Sequence, residues 1–451
     1  MNEDEQLVIK NAYVYTVDAQ DTVYPRATVV VRGDKIYKIC TEEIPGLTDK
    51  GTVIDAEGCA VIPGFINTHI HIFQSLLKGL GADHRLIEWL NLSALPYGEK
   101  MGPDLQHAAA LLASYEALQS GCTTLCESFY TTQDDELSHA VIRGMQETGI
   151  RSIFIRTFCD TGTEYGMPQC FMETVGQAMK KTEDLRSRYE GKSDMLHIWT
   201  GPCVTWATTK EGYEGMMEYV KSTGMPYSMH LDETEVDNQM CRKYYNMDAV
   251  QLLDSVGFLT DDFLAVHCVN LTDEELAVFS ERHVNVSHNP MANMYLGSGF
   301  ARIPEMLKRG IRVALGTDGA ASNNTTNFLE TFKMAALIQK ALYRDAAILS
   351  ARDILRMATI EAARAVKLDN ITGSLEAGKK ADIVIFDPAQ LTSFPMHDPL
   401  ATIAYSSCIA NIRTTIVNGR IVYDNGQFRG NPDLGSLYND TLCKLKKVKV
   451  S

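Results

Sequence analysis

Five side chains that could share a metal ion are spread along this sequence: His69 and His71 in Thr68-His69-Ile70-His71, then His230, His267 and Asp318. Imidazole nitrogens and a carboxylate are ligands of divalent transition metals. Residues two apart in an extended strand point to one face, so His69 and His71 can turn both rings toward one ion. A metal held this way lowers the pKa of a bound water and makes hydroxide available near neutral pH. The chemistry open to such a set is hydrolysis. His84, His107, His139, His197, His283 and His397 lack this context and read as structural, and His288 in Ser287-His288-Asn289-Pro290 stands between the two groups.

Bringing positions 69 to 318 together requires a fold that gathers strand ends. Short apolar runs alternate with longer segments of helical period, which argues for parallel βα units. There are eight such runs: Val61–His71, Thr123–Ser128, Arg151–Phe158, His197–Val204, Pro226–Leu231, Phe263–Val269, His283–Pro290 and Ile311–Asp318. Eight units in about 260 residues predict a (β/α)8 TIM barrel, whose catalytic residues sit at C-terminal strand ends. His69 and His71 end the first run, His230 the fifth and Asp318 the eighth, while His267 lies in the sixth. A doubly wound open sheet usually carries GxGxxG after its first strand, and none is present.

Both chain ends read as β structure. Leu7–Val17, Thr28–Val31, Lys35–Ile39 and Val53–Ala56 lead, with a turn at Gly33-Asp34; Ala381–Phe386, Thr414–Val417 and Arg420–Tyr423 follow the barrel, with the hairpin signal Asn418-Gly419. Residues 1–60 and 371–451 are expected to build one small β-sandwich domain, leaving 61–370 as the catalytic barrel. A hydrophobic content of 45% with 22% charged residues suits a packed core. The net charge of -15 argues against a protein that tracks nucleic-acid phosphates. No run approaches the roughly 18 apolar residues of a membrane span. The start, Met1-Asn2-Glu3-Asp4-Glu5, is acidic where a signal peptide is basic. The 11 cysteines form no CxxC pair, and Cys122, Cys126, Cys203 and Cys268 sit in apolar runs, so reduced thiols and a cytoplasmic location are expected.

Pro63-Gly64-Phe65-Ile66-Asn67-Thr68-His69-Ile70-His71, His230-Leu231-Asp232-Glu233-Thr234, Val266-His267-Cys268-Val269, Ser287-His288-Asn289-Pro290 and Gly316-Thr317-Asp318-Gly319 resemble, in order, the motifs of the amidohydrolase superfamily. The resemblance runs from Leu7 to Phe428. It is strongest to the aminohydrolase and chlorohydrolase branch, and Tyr295-Leu296-Gly297-Ser298-Gly299 and Ile303-Pro304-Glu305-Met306 are similar to its triazine members. It implies His69, His71, His230 and Asp318 as ligands of one divalent metal per chain, zinc in first place and ferrous iron in second. Two-metal members commonly carry a carboxylated lysine on the fourth strand, and His197–Val204 contains no lysine. The resemblance also implies roles. Metal-bound hydroxide would attack a ring carbon while Asp318 takes the proton that water releases. Glu233 would protonate a ring nitrogen and then the departing amine. His267 would orient the hydroxide or polarise the tetrahedral centre. The expected reaction is ammonia release from an amino-substituted heteroaromatic ring: a triazine, pterin or purine. Dechlorination of a chlorotriazine and deamination of S-adenosylhomocysteine or methylthioadenosine are the alternatives. A non-enzymatic binding protein is not expected, because every motif residue is intact.

Substrate contacts are less distinct. Gln74, three residues after His71, could donate to a ring substituent. Leu86, Trp89 and Trp206 either wall a flat ring or pack the core. Ser322 and Asn323 either touch substrate or cap the helix that follows. Cys203 stands where the adenosyl deaminases resembled here place a histidine. Leu95-Pro96 is followed by Tyr97-Gly98, with Glu99 one step later than their ribose-binding acid. A buried hydroxyl left unpaired costs about 1–3 kcal/mol, so these departures predict a small ring in preference to a nucleoside. A homo-oligomer with a small-molecule substrate, and with neither nucleic acid nor membrane as partner, completes the expectations.

Overall fold

Alternating apolar positions near the N-terminus make strands with one face to bury. In the computed structural model, which describes residues 6–42 and 51–450, they form β1 (Gln6–Tyr15), β2 (Val23–Arg32), β3 (Lys35–Cys40), β4 (Thr52–Asp55) and β5 (Ala60–Pro63). Then come β6 (Phe65–Ile70), β7 (Cys122–Phe129), β8 (Arg151–Phe158), β9 (Leu196–Pro202), β10 (Tyr227–Leu231), β11 (Phe263–His267), β12 (Asn285–His288) and β13 (Arg312–Leu315). The last strands are β14 (Ile383–Phe386), β15 (Ile412–Val417), β16 (Arg420–Asp424) and β17 (Gln427–Phe428).

Strands from both chain ends share one mixed sheet, ordered β17-β16-β15-β14-β5-β1-β2-β3, with β4 also paired to β1. Asn418 and Gly419 turn the β15–β16 hairpin at φ 50° and 74°, the left-handed region that a tight two-residue turn demands. Ile36 N–H donates to Lys379 O, and Ala381 N–H to Asp34 O, each at 2.9 Å. The sheet therefore curls on itself around one core, which includes Ile9, Val29, Val31, Ile383, Ile385 and Ile416.

β6 to β13 form the second sheet in chain order, with parallel pairing. They are buried almost throughout, as strands covered on both faces must be. Beside them lie helices such as Asp135–Thr148, Lys210–Thr223, Glu235–Tyr245 and Asp273–Arg282. Each begins where a side chain (Asp134, Thr209, Thr234, Thr272) accepts a first-turn N–H. The seam of this TIM barrel is closed by Thr68 Oγ1 donating to Leu315 O at 2.9 Å and by Asp318 N–H donating to His69 O at 3.0 Å. The closure needs a glycine at 316, where an added Cβ would lie 2.3 Å from Asn289 Oδ1 and 3.1 Å from His69 Cβ.

One of the eight expected runs proves to be two strands. Val61–His71 breaks at Gly64, so that Ala60–Pro63 belongs to the mixed sheet and Phe65–Ile70 to the barrel. The chain divides into two compact units. Among the described residues, those up to Asn67, Tyr115–Thr124 and Asn327–Pro432 form the first; Thr68–Ser114, Leu125–Thr326 and those from Asp433 form the second, which holds every residue of the site below. All eleven cysteines are free. No described helix is long and apolar enough to cross a membrane.

Candidate active site

The C-terminal ends of β6, β10 and β11, with the residues that follow β6 and β13, bring His69, His71, His230, His267 and Asp318 together. One ligand atom from each of His69, His230, His267 and Asp318 lies within 4.8 Å of the others. His71 Nε2 is 3.0 Å from His230 Nε2 and 3.5 Å from Asp318 Oδ1, and His69 Nε2 is 3.3 Å from that same oxygen. Several strand ends hold a strained backbone here: Asp232, His267, Cys268 and Asp318 have φ of 53°, 73°, 51° and 65°. Non-glycine residues rarely adopt this region, at a cost on the order of 1–3 kcal/mol each, and such strain gathers at functional sites.

Hydrogen bonds decide what the imidazoles can do. His71 Nδ1–H donates to Ser128 O at 2.6 Å, and His230 Nδ1–H to Cys203 O at 2.5 Å. A carbonyl can only accept, so each Nδ1 carries the proton and each Nε2 presents a lone pair. Two lone pairs facing each other at 3.0 Å beside a carboxylate repel unless a cation lies between them. The spacing fits one, since tetrahedral ligands at about 2.0–2.1 Å from a metal stand about 3.3 Å apart. Burial pushes His69 down to about 4 and His71 and His230 to about 3, which keeps them neutral. Burial opposes ionisation of Asp318, but its contact with His69 and the neighbouring imidazoles outweigh it and hold the carboxyl well below the usual range. Asp318 is held further by Gly319 N–H on Oδ1 at 2.7 Å and Ser322 Oγ–H on Oδ2 at 2.8 Å. Neutral imidazoles around one carboxylate make a donor set for a single divalent metal.

Glu233 lies just past β10, buried, with Oε1 accepting from Ser298 Oγ at 3.1 Å and Oε2 3.6 Å from His267 Nε2. Burial, with the Asp318 charge behind it, raises its pKa against the lowering effects of His267 and Ser298. His267 Nδ1 is 2.8 Å from Asn293 Oδ1, and its Nε2 has no hydrogen-bond partner among the described residues.

These groups open into a pocket lined by His71, His230, Glu233, His267 and Asp318 together with Gln74, Leu86, Trp89 and Cys203. Gln74 Nε2 donates to Tyr130 Oη at 3.2 Å. Trp206 also lines the pocket, whereas Ser322 is fully buried behind Asp318 rather than on the wall. Asn323 likewise turns inward, its Nδ2 donating to Thr317 O at 2.7 Å. Glu99 is outside the lining, 3.5 Å from Lys100 Nζ. His288 is buried beneath the site with neither ring nitrogen hydrogen-bonded among the described residues. Tyr130, Met167 and Leu296 were not foreseen as lining residues. Tyr130 stands at the end of β7, a position that could have marked it; Met167 lies in a loop with no such signal.

The chain matches the amidohydrolase family over residues 60–422. It is 34% identical to the 5'-deoxyadenosine deaminase of Methanosarcina acetivorans, over 93% of each chain. It is 33% identical to the 5-methylthioadenosine/S-adenosylhomocysteine deaminase of Caldicellulosiruptor saccharolyticus, over 93% of this chain and 94% of that one. Atrazine chlorohydrolase of Arthrobacter aurescens TC1, crystallised with zinc, superposes with a TM-score of 0.90 at 26% identity, covering 97% of this chain and 100% of that chain.

Proposed function

The chain belongs to the amidohydrolase family and is a hydrolase acting on carbon–nitrogen bonds, and we propose that it deaminates an amino-substituted nitrogen heteroaromatic ring with one divalent metal per chain. The observation that carries this reading is the meeting of Glu233 with the histidine–aspartate cluster in one pocket. His69, His71, His230 and Asp318 would hold the metal, zinc in first place because a structural relative was crystallised with it and ferrous iron in second. Bound there, the metal would lower the pKa of a water molecule and so supply a nucleophile near neutral pH.

The remaining work falls to this chain's own groups. Asp318, ionised, accepts the proton that the attacking water gives up. Glu233, protonated, passes its proton to a ring nitrogen, which makes the adjacent carbon electrophilic, and a proton then reaches the leaving amine through the same carboxyl. His267 hydrogen-bonds the oxygen that develops charge. Trp89, Trp206 and Leu86 offer a flat apolar wall, and Gln74 a polar contact for a ring substituent.

Within this class we favour a small ring: an aminotriazine, pterin or free purine. Among the described residues, Glu233 and Asp318 are the only carboxylates on the pocket wall, which offers a ribose diol no third acid. Deamination of an adenosyl compound is the second reading, favoured by the names of the 34% and 33% identical relatives. The test is kcat/KM for ammonia release from aminotriazines, aminopterins and free purines, set beside 5'-deoxyadenosine, methylthioadenosine and S-adenosylhomocysteine. Small rings turning over at least about tenfold more efficiently would support the first reading. Turnover of the nucleosides alone would replace it with the second, and chloride release from a chlorotriazine without deamination would overturn both.

A further inference from the structure

The Tyr295–Gly299 turn carries none of the groups that the chemistry above calls on, yet its Ser298 hydroxyl reaches the Glu233 carboxyl. We infer that Ser298, anchored by Asn293, is a positioning residue that holds Glu233 against His267; this rests on Glu233 being the proton donor. Asn293 belongs to the short helix Pro290–Tyr295 that leaves β12, and it is 1% exposed. Its Oδ1 accepts from His267 Nδ1–H at 2.8 Å, which turns the Nε2 edge of that ring toward Glu233. Its backbone carbonyl accepts from Ser298 N–H at 2.8 Å and Gly299 N–H at 3.4 Å, drawing the chain back over the site. Glycines permit the reversal: Gly297 has φ 66° and Gly299 φ 123°, and a Cβ on Gly299 would stand 3.0 Å from Val269 Cγ1.

The outcome is a closed circuit. His267 is tied to Asn293, the Asn293 carbonyl to the Ser298 turn, the Ser298 hydroxyl to Glu233 Oε1, and Glu233 Oε2 lies back toward His267. Asn270 Nδ2 fixes the Glu233 carbonyl at 3.2 Å from another side. Ser298 is the one side chain that hydrogen-bonds the buried Glu233 carboxyl among the described residues, so without it packing and His267 alone set the orientation of that carboxyl. The same turn sets Leu296 on the pocket wall, so one element shapes the pocket and aims the acid.

The test is a double-mutant cycle on the metal-loaded enzyme with whichever substrate it turns over. Ser298→Ala should lower kcat on the order of tenfold, the effect of one hydrogen bond to a charged or charge-transferring group. KM should stay within about twofold and metal content should be unchanged, with the melting temperature lowered by no more than a few degrees. Ser298→Thr, which keeps the hydroxyl, should restore most of the rate. In a Glu233→Gln background, Ser298→Ala should cost less than about twofold, since it has no acid left to aim. Unchanged kcat in Ser298→Ala, or the same loss repeated without Glu233, would overturn the inference while leaving the role of Glu233 intact. Normal turnover by Glu233→Gln alone would overturn that role first.

Discussion

At the scale of single residues, the account depends on lone pairs and one proton. His71 and His230 each have Nδ1 committed to a carbonyl, which leaves Nε2 no alternative but to bind a cation or repel its neighbour. Replacing either with Ala should abolish metal retention and turnover together, as elemental analysis and an ammonia assay on the same sample would show. Glu233→Gln should keep the metal but slow turnover by about 10²–10⁴-fold, the range for a positioned general acid–base; a rate within threefold of the parent would make Glu233 a bystander. The histidines and Asp318 were legible from sequence because strand periodicity and strand-end position are local signals. Ser298 was not, although its turn had been singled out, because its contact with Glu233 spans 65 residues and only the folded chain reveals it. The place of Ser322 was left open for a related reason. A serine four residues after Asp318 can face the substrate or fold back on the aspartate, and the turn beginning at Gly319 sends it back.

At the scale of elements, register decides everything. The run from Val61 to His71 has no polar side chain before Asn67, and such a stretch carries no period to tell one sheet from the next. The structure puts its first part in the mixed sheet and its second in the barrel, with Gly64 N–H donating to Asp382 O and Phe65 N–H to Gly121 O. The other barrel strands were found within a few residues because each is a short apolar run set off by segments of helical period. Gly316 tests how tight the closure is. Gly316→Ala should destabilise the protein by about 1–3 kcal/mol, as overpacking does, and loosen the metal through the displaced His69. Gly176→Ala is the control, since a Cβ there meets nothing within 4 Å; it should leave the melting temperature unchanged or slightly raised. Equal effects in the two variants would mean that the seam is slack.

At the scale of the whole molecule, buried neutral imidazoles make stability sensitive to acid. Burial holds His288 at about 3, against about 6.5 in an unfolded chain. Below pH 6.5 the unfolded chain binds a proton that the folded one refuses, so its contribution is fully present above that pH and is lost as pH falls toward 3. The slope is at most about 1.4 kcal/mol per pH unit for one site. His288→Gln should therefore flatten the fall of melting temperature between pH 6.5 and 4, measured on metal-free protein to separate it from metal release. A parallel fall in parent and variant would show that His288 is protonated in the folded state. The central claim, one metal per chain serving a deamination, has a more direct measurement. Chelated protein is titrated with zinc or ferrous iron while ammonia release from its best substrate is followed. The rate should be negligible without metal, rise in proportion and stop rising at one equivalent per chain; activity in the stripped protein, or a plateau at two equivalents, would contradict the account.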